Sequence, residues 1–268
     1  MIYTSTRTLI TLTGPEAPTF LNGLITQDIR TIQINRSGFC AFLTPQGRYI
    51  TDAFIKNCIK NIYWLDIPTE ALSPLLAHLN RYKLRSKVTI NHKPDYCIVY
   101  LNSPHPEAYP DHTGLMRWRY IAPTKKATKA APEQEHNWRL SQIKSCISSY
   151  NEGLTPNKSI ILDHGFNTHK ALSWTKGCYM GQELMARTHH RGVVRKTLAC
   201  LQHNEICDTN DTALLTANKD KKIGTILCQG TETNTKTKYT LTLVYKDFLT
   251  DSTLNTNRGL FSVFNFIK

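Results

Sequence analysis

The feature that most limits how this chain folds is a run of short apolar segments with strand-like alternation, each closed by a turn signal. FCAFL, the turn TPQG, RYITDAFIKN and NIYWLDI follow one another between residues 39 and 67. Spacing of this kind predicts an antiparallel meander, because period-2 alternation sends neighbouring side chains to opposite sheet faces. Ahead of it, Gly14 and Pro15 close an opening strand, and APTFLNGLI places Phe20, Leu21 and Leu24 on one helical face. After it, PTEALSPLLAHLNRYKL carries Leu72, Leu75, Leu76 and Leu79 at helical spacing, with Pro68 suited to a first turn.

Further strands are expected in KVTI, DYCIVYL and LMRWRYIA, separated by proline-containing connections. The 268 residues exceed the usual single-domain size, so internal seams are expected. One seam is TKKATKAAPEQEH, small, charged and without apolar periodicity. The expected organisation is an α+β lobe or lobes over 1–123, a linker or exposed loop over 124–136, a helical segment over 137–191, and a C-terminal β-barrel over 192–268. NWRLSQIKSCISSY predicts a helix ending by Gly153. The barrel rests on VVRKTLACL, KKIGTILC, YTLTLVY and GLFSVFNFI, with TETNTKTK as a mobile hairpin tip.

Composition narrows the function classes. The opening MIYTSTRTLITLTG lacks an apolar stretch long enough for a signal-peptide core and alternates as a strand, so a cytoplasmic location is expected and no membrane partner. Eight cysteines never form C-x-x-C, which excludes a zinc knuckle or thioredoxin-type pair. Cys40, Cys58, Cys97, Cys200 and Cys228 sit in apolar runs and are expected to be core thiols. A formal charge of +13 favours anionic partners without naming one. No RNA-recognition motif accompanies it, so a nucleic-acid-binding role ranks last.

Reactive side chains concentrate in WTKGCYMGQELMARTHHRGVVRK, where Lys176, Cys178, Glu183, Arg187, His189, His190 and Arg191 fall within sixteen residues. Gly177 and Gly181 bracket the cysteine, and QELMARTHH is a good helix former, so Cys178 is expected just before a helix. The helix dipole, free amides and Lys176 would there favour the thiolate, able to attack an electrophile or bind a soft metal. One cysteine falls short of the four ligands of a conventional cluster, so any iron-sulfur cluster here would be transient or shared with a partner. His189 and His190, adjacent on a helix, point apart and are expected at the surface.

The string KGCYMGQE resembles the signature of the YgfZ-type iron-sulfur assembly factors, and ARTHHRGVVRK is similar to their mitochondrial branch. LTGPEAPTFLNGLITQDI, LTPQGRYITDAFI and YKLRSKVTI agree more weakly, in the order expected of that family. The resemblance implies a relative of the glycine-cleavage aminomethyltransferases, with lobes around a central tetrahydrofolate channel. It implies an assembly factor supporting maturation of [4Fe-4S] proteins with an A-type carrier protein, in the mitochondrial matrix if the source is a eukaryote, and leaves open whether the chain is also an enzyme. Cys178 is then the functional thiol and the candidate cluster ligand. Asp52, shortly after Gly47, is a candidate contact to the folate nitrogens. Lys176, Gly177, Tyr179, Gly181, Gln182, Glu183 and Arg187 are the remaining candidate cofactor-binding residues. A tetrahydrofolate-dependent aminomethyltransferase using Asp52 is the alternative. Residues 100–175 match no motif of the family.

Overall fold

A computed structural model describes residues 2–4, 6–113, 115, 117–190, 192, 194–203, 212–216, 219, 221–249, 253–256 and 259–267. Arg191 and Cys207 lie outside the described residues. The architecture is mixed α and β, built on three principal sheets.

The first sheet has the order Ser37–Leu43, Tyr49–Ile59, Ile62–Pro68, Arg7–Thr13, Thr89–His92, antiparallel throughout. The predicted meander is its first three strands. Both faces are covered, which explains why FCAFL reads as a continuous apolar run. Cys40 and Phe42 point into one core with helices α1 (Ala17–Leu24) and α2 (Leu72–Lys83), whereas Phe39, Ala41 and Leu43 point into a second core. That second core is closed by Leu154, Ile161, Leu162, Phe166 and Met185. Helix α1 buries Leu21 and Leu24 as expected and leaves Phe20 half-buried, while α2 buries Leu75 and Leu79.

A second sheet pairs Ile2–Tyr3, Tyr96–Leu101 and Trp118–Pro123 with two short edge strands. The third has six antiparallel strands ordered Ala213–Leu215, Lys222–Thr231, Lys238–Tyr245, Lys196–His203, Gly259–Phe266, Thr253–Thr256. Among the described residues this order is open, with Ala213–Leu215 and Thr253–Thr256 at its edges. TETNTKTK forms the turn of the hairpin joining Lys222–Thr231 to Lys238–Tyr245.

Two readings of the middle of the chain change. Residues 124–136 are not a loop throughout: Thr128–Lys129 pairs with Ile2–Tyr3, and helix α3 (Pro132–Lys144) starts five residues before 137. Pro132 suits the first helical position, and Gln134 Oε1 accepts the Ala131 N–H at 2.9 Å, satisfying an otherwise free amide at the helix start. The stretch 137–191 is also not one unit. α3 packs Leu140 and Ile143 on Leu198, Cys200 and Leu241 of the third sheet, while α4 (Gln182–His190) packs Met185 on the first. α3 stops at Lys144, and Cys146 then takes a positive φ of 55°.

Cys40, Cys97 and Cys200 are buried as expected, joined by Cys146; Cys58 and Cys228 are only half-buried. Among the described residues no helix is long and apolar enough to cross a membrane.

Candidate functional site

Ser37–Leu43 is an edge strand of the first sheet, with unpaired backbone that needs a cover. The cover is the connection that follows α1, which the cysteine segment holds in place. Ile25 bridges Phe42, Thr26 takes the Ala41 carbonyl and amide, and residues 171–181 strap this connection down. Thr26 Oγ1 donates to the Ala171 carbonyl at 2.6 Å, and Met180 N–H donates to the Gly23 carbonyl at 2.9 Å.

Lys176 is the anchor on one side of the cysteine. Its ammonium is buried and donates to the carbonyls of Asn22 (2.6 Å), Ile25 (2.9 Å) and Gln27 (2.9 Å), around the C-terminus of α1. All three of its protons are thereby used. Burial lowers its pKa to about 8. Lys176 is therefore not the cation expected beside the thiolate; it stabilises free carbonyls at a helix end, where positive charge belongs. Lys176→Met is expected to cost about 2–3 kcal/mol in denaturant unfolding, because three acceptors lose a charged partner.

On the other side Tyr179 is buried in the second core and Met180 packs on the first, so the chain crosses the sheet edge there. Gly181 follows with φ +79°, and a Cβ on it would meet the Thr44 carbonyl oxygen at 2.7 Å and the Gly47 Cα at 2.9 Å. Gly47, at φ +74°, is the turn glycine of TPQG, so each glycine makes room for the other. Gln182 Oε1 accepts the Tyr179 N–H at 3.2 Å as α4 begins.

Between these anchors Gly177 and Cys178 form an exposed two-residue arch, four residues before the first residue of α4 for the cysteine. A Cβ on Gly177 would meet nothing within 4 Å, so its lack of a side chain leaves the approach to Cys178 open without being needed by the backbone. Glu183 and Arg187 are exposed on α4. His189 and His190 are also exposed, as expected; His189 stacks on Trp174 with ring centroids 3.9 Å apart. Among the described residues no three His, Cys, Asp or Glu side chains converge as a metal site.

Asp52 stands elsewhere. Its Oδ1 accepts the Tyr49 hydroxyl at 2.7 Å and its Oδ2 accepts Arg7 Nη1 at 2.9 Å. Arg7 also donates to Asp66, which receives Arg119 Nη1 at 2.7 Å; Arg119 Nε reaches Asp111 at 2.9 Å. Three carboxylates and two guanidinium groups thus alternate through the interior and tie the first sheet to the second. Burial would raise the Asp111 carboxyl, but Arg119 and Thr113 hold it below the usual range.

Asp52 borders a cavity of about 30 Å³, shared with Arg7, Arg119, Ser148, His164 and His169. That is room for about one water. Ser148 Oγ lies 3.0 Å from His164 Nδ1, and burial pushes His164 down from 6.5 to about 4. Because the unfolded chain binds a proton at this imidazole near pH 6.5 and the folded chain does not until about 4, stability falls as pH drops through that window. The expected loss is about 3 kcal/mol, read as a flatter pH dependence of unfolding in His164→Gln.

A second cavity of about 580 Å³ adjoins the first through Arg7, Arg119, Gln142 and Ser149. Tyr100, Trp138 and Tyr150 form apolar walls, with Glu70, Arg139 and Glu152 among its polar groups. Of the predicted cofactor residues only Asp52 borders either of these two cavities; Lys176, Gly177, Tyr179, Gly181, Gln182, Glu183 and Arg187 belong to the edge strap and α4. Sequence reasoning missed Arg7, Asp66 and Arg119. Their signal was a charge inside an apolar strand run, as in WLDIP and WRYIA, which burial tolerates only in pairs.

In structure the chain matches the glycine cleavage system aminomethyltransferase T from Bartonella henselae with a TM-score of 0.73 at 13% identity, over 98% of this chain and 84% of that one. The two chains share a fold. No family model matches the sequence. It is 32% identical over 216 residues to the iron-sulfur cluster assembly factor IBA57 homolog, mitochondrial, of Phaeosphaeria nodorum, across 72% of this chain and 52% of that protein. It is 28% identical over 225 residues to the iron-sulfur cluster assembly factor IBA57, mitochondrial, of Homo sapiens, across 72% of this chain and 63% of that one. The chain spans about half the length of the Phaeosphaeria protein. These relatives are named as mitochondrial, so the plainly cytoplasmic expectation finds no support in them.

Proposed function

We propose that the chain is a folate-binding factor of the YgfZ type that supports maturation of [4Fe-4S] proteins. Cys178 meets a cluster held by an A-type carrier. The mitochondrial matrix is the site of action if the source is eukaryotic. The observation that carries this reading is the exposed arch, which holds one thiol out at a fixed place between Lys176 and Tyr179. One thiolate is a partial ligand set, suited to a cluster whose other ligands come from a second protein. The assembly-factor relatives support the same reading.

Support for folate binding comes from the larger cavity. It falls in the usual size range of ligand pockets, with Tyr100, Trp138 and Tyr150 able to hold flat rings and Glu70 and Glu152 to accept ring N–H groups. Bound tetrahydrofolate supplies paired nitrogens that carry a one-carbon unit. Asp52 sits in the one-water annex with both oxygens engaged, so aminomethyl transfer through Asp52 gains no support from this geometry. On this reading the larger cavity belongs to a central folate channel and the third sheet to a C-terminal barrel.

The test is whether expression of the chain restores [4Fe-4S] enzyme activity in cells lacking their own such factor, alongside a tetrahydrofolate titration of the purified protein. Absence of restoration by a folded, expressed chain contradicts the assembly role. Absence of folate binding removes the folate clause alone.

A further inference from the structure

A third cavity, of about 320 Å³, lies against the larger one and shares its Tyr100 and Trp138 wall. Its polar lining includes Thr4, Asn102, Arg117, Gln134 and Asn137, with the carboxylate of Glu135 on the wall shared with the larger cavity. Arg117 differs from the arginines that line the adjoining cavity. Arg7 and Arg119 each hold two carboxylates, and Arg139 holds Glu152, but among the described residues no carboxylate pairs with the Arg117 guanidinium. It is half-buried, and its guanidinium lies 4.4 Å from the centre of the Trp138 ring. Burial holds its pKa below the usual arginine range. Trp138 is in turn packed on Tyr100 at 4.1 Å, so the guanidinium is stacked on a fixed plane and spends little entropy when it takes a ligand.

We propose that this chamber binds the carboxylate of a small organic acid, with Arg117 as the ion-pair partner and the carboxamides of Asn102, Gln134 and Asn137 serving the polar body of the ligand. The Gln134 oxygen is already used by the Ala131 N–H, which leaves its NH₂ group to donate toward the chamber. A planar guanidinium fork matches a carboxylate in two parallel hydrogen bonds, a geometry that an ammonium or a neutral amide does not reproduce. This site is distinct from the Cys178 arch and its proposal does not depend on folate binding.

The experiment is calorimetric titration of the full chain with N-acetylglycine, with its neutral analogue N-acetylglycinamide, and with inorganic phosphate. The acid is expected to bind at millimolar concentrations and at least about tenfold more tightly than the amide, the difference one charged pair makes. Arg117→Met should reduce acid binding to the level of the amide, and Arg117→Lys should restore it only in part. Equal binding of acid and amide by the native chain, no binding of the acid, or unchanged affinity in a folded Arg117→Met overturns the proposal. Phosphate binding as tightly as the acid also overturns it, by showing a general anion site. If Arg117→Met does not fold, the acid-to-amide ratio of the native chain decides. Cys178→Ser should leave all these affinities unchanged, so failure here is separable from failure of the assembly role.

Discussion

Arg119→Met is expected to destabilise the fold by about 3–5 kcal/mol, the usual result of removing one member of a buried charge network. Arg119 is 2% exposed, joins Asp66 to Asp111, and lies 3.6 Å from the centre of the Phe54 ring. Methionine keeps much of the contact with Phe54 and removes the charge. Asp66 retains Arg7 and the Tyr109 hydroxyl, but the Asp111 carboxylate keeps hydrogen bonds from Thr113 alone among the described residues, with Arg117 as a more distant positive charge. An unpaired buried carboxylate is then the main source of the loss. Two further results should accompany it. The native chain should lose stability as pH falls through the carboxylate range, because Asp111 has its pKa depressed on folding and must be protonated there; the variant should lose less. Asp111→Asn added to Arg119→Met should recover part of the deficit, since neighbours in one network are not additive. A loss under about 1 kcal/mol in guanidinium unfolding would show that the network is not a structural tie.

Cys178→Ala is expected to have the opposite profile. The side chain is exposed and makes no core contact that the fold needs, so unfolding free energy should move by no more than about 0.5 kcal/mol. Support of [4Fe-4S] enzyme maturation should be lost entirely, with folate binding kept, because the larger cavity does not include Cys178. The same substitution at buried Cys40 inverts the pattern: it removes a thiol packed with Ile10, Phe42 and Leu65 and touches no exposed surface. Maturation retained in full by Cys178→Ala removes the cysteine from the mechanism.

Much of the first lobe was legible because its signals are local. Alternation in FCAFL and RYITDAFIKN, and the leucine spacing of α2, each state which face is covered. The position of Cys178 ahead of a helix was legible for the same reason, since QELMARTHH states its own preference. Tertiary partners were not legible. Lys176 reads as a cation beside a cysteine, and only the fold shows that its three protons go to carbonyls around residues 22–27, some 150 positions away in sequence. The split of residues 137–191 was hidden in the same way, because α3 and α4 serve different sheets and nothing local to either helix says so. Asp52 was read from its distance to Gly47; its pairing with Arg7 comes from strand order, which places Arg7–Thr13 inside the sheet.

The most direct measurement is reconstitution of a cluster-bearing A-type carrier with this chain, followed by size separation and absorption spectroscopy, for the native sequence and for Cys178→Ser. The native chain should co-elute with the carrier and its cluster chromophore, and Cys178→Ser should elute apart with the chromophore left on the carrier or lost. Co-elution of Cys178→Ser with an unaltered cluster spectrum would contradict the account.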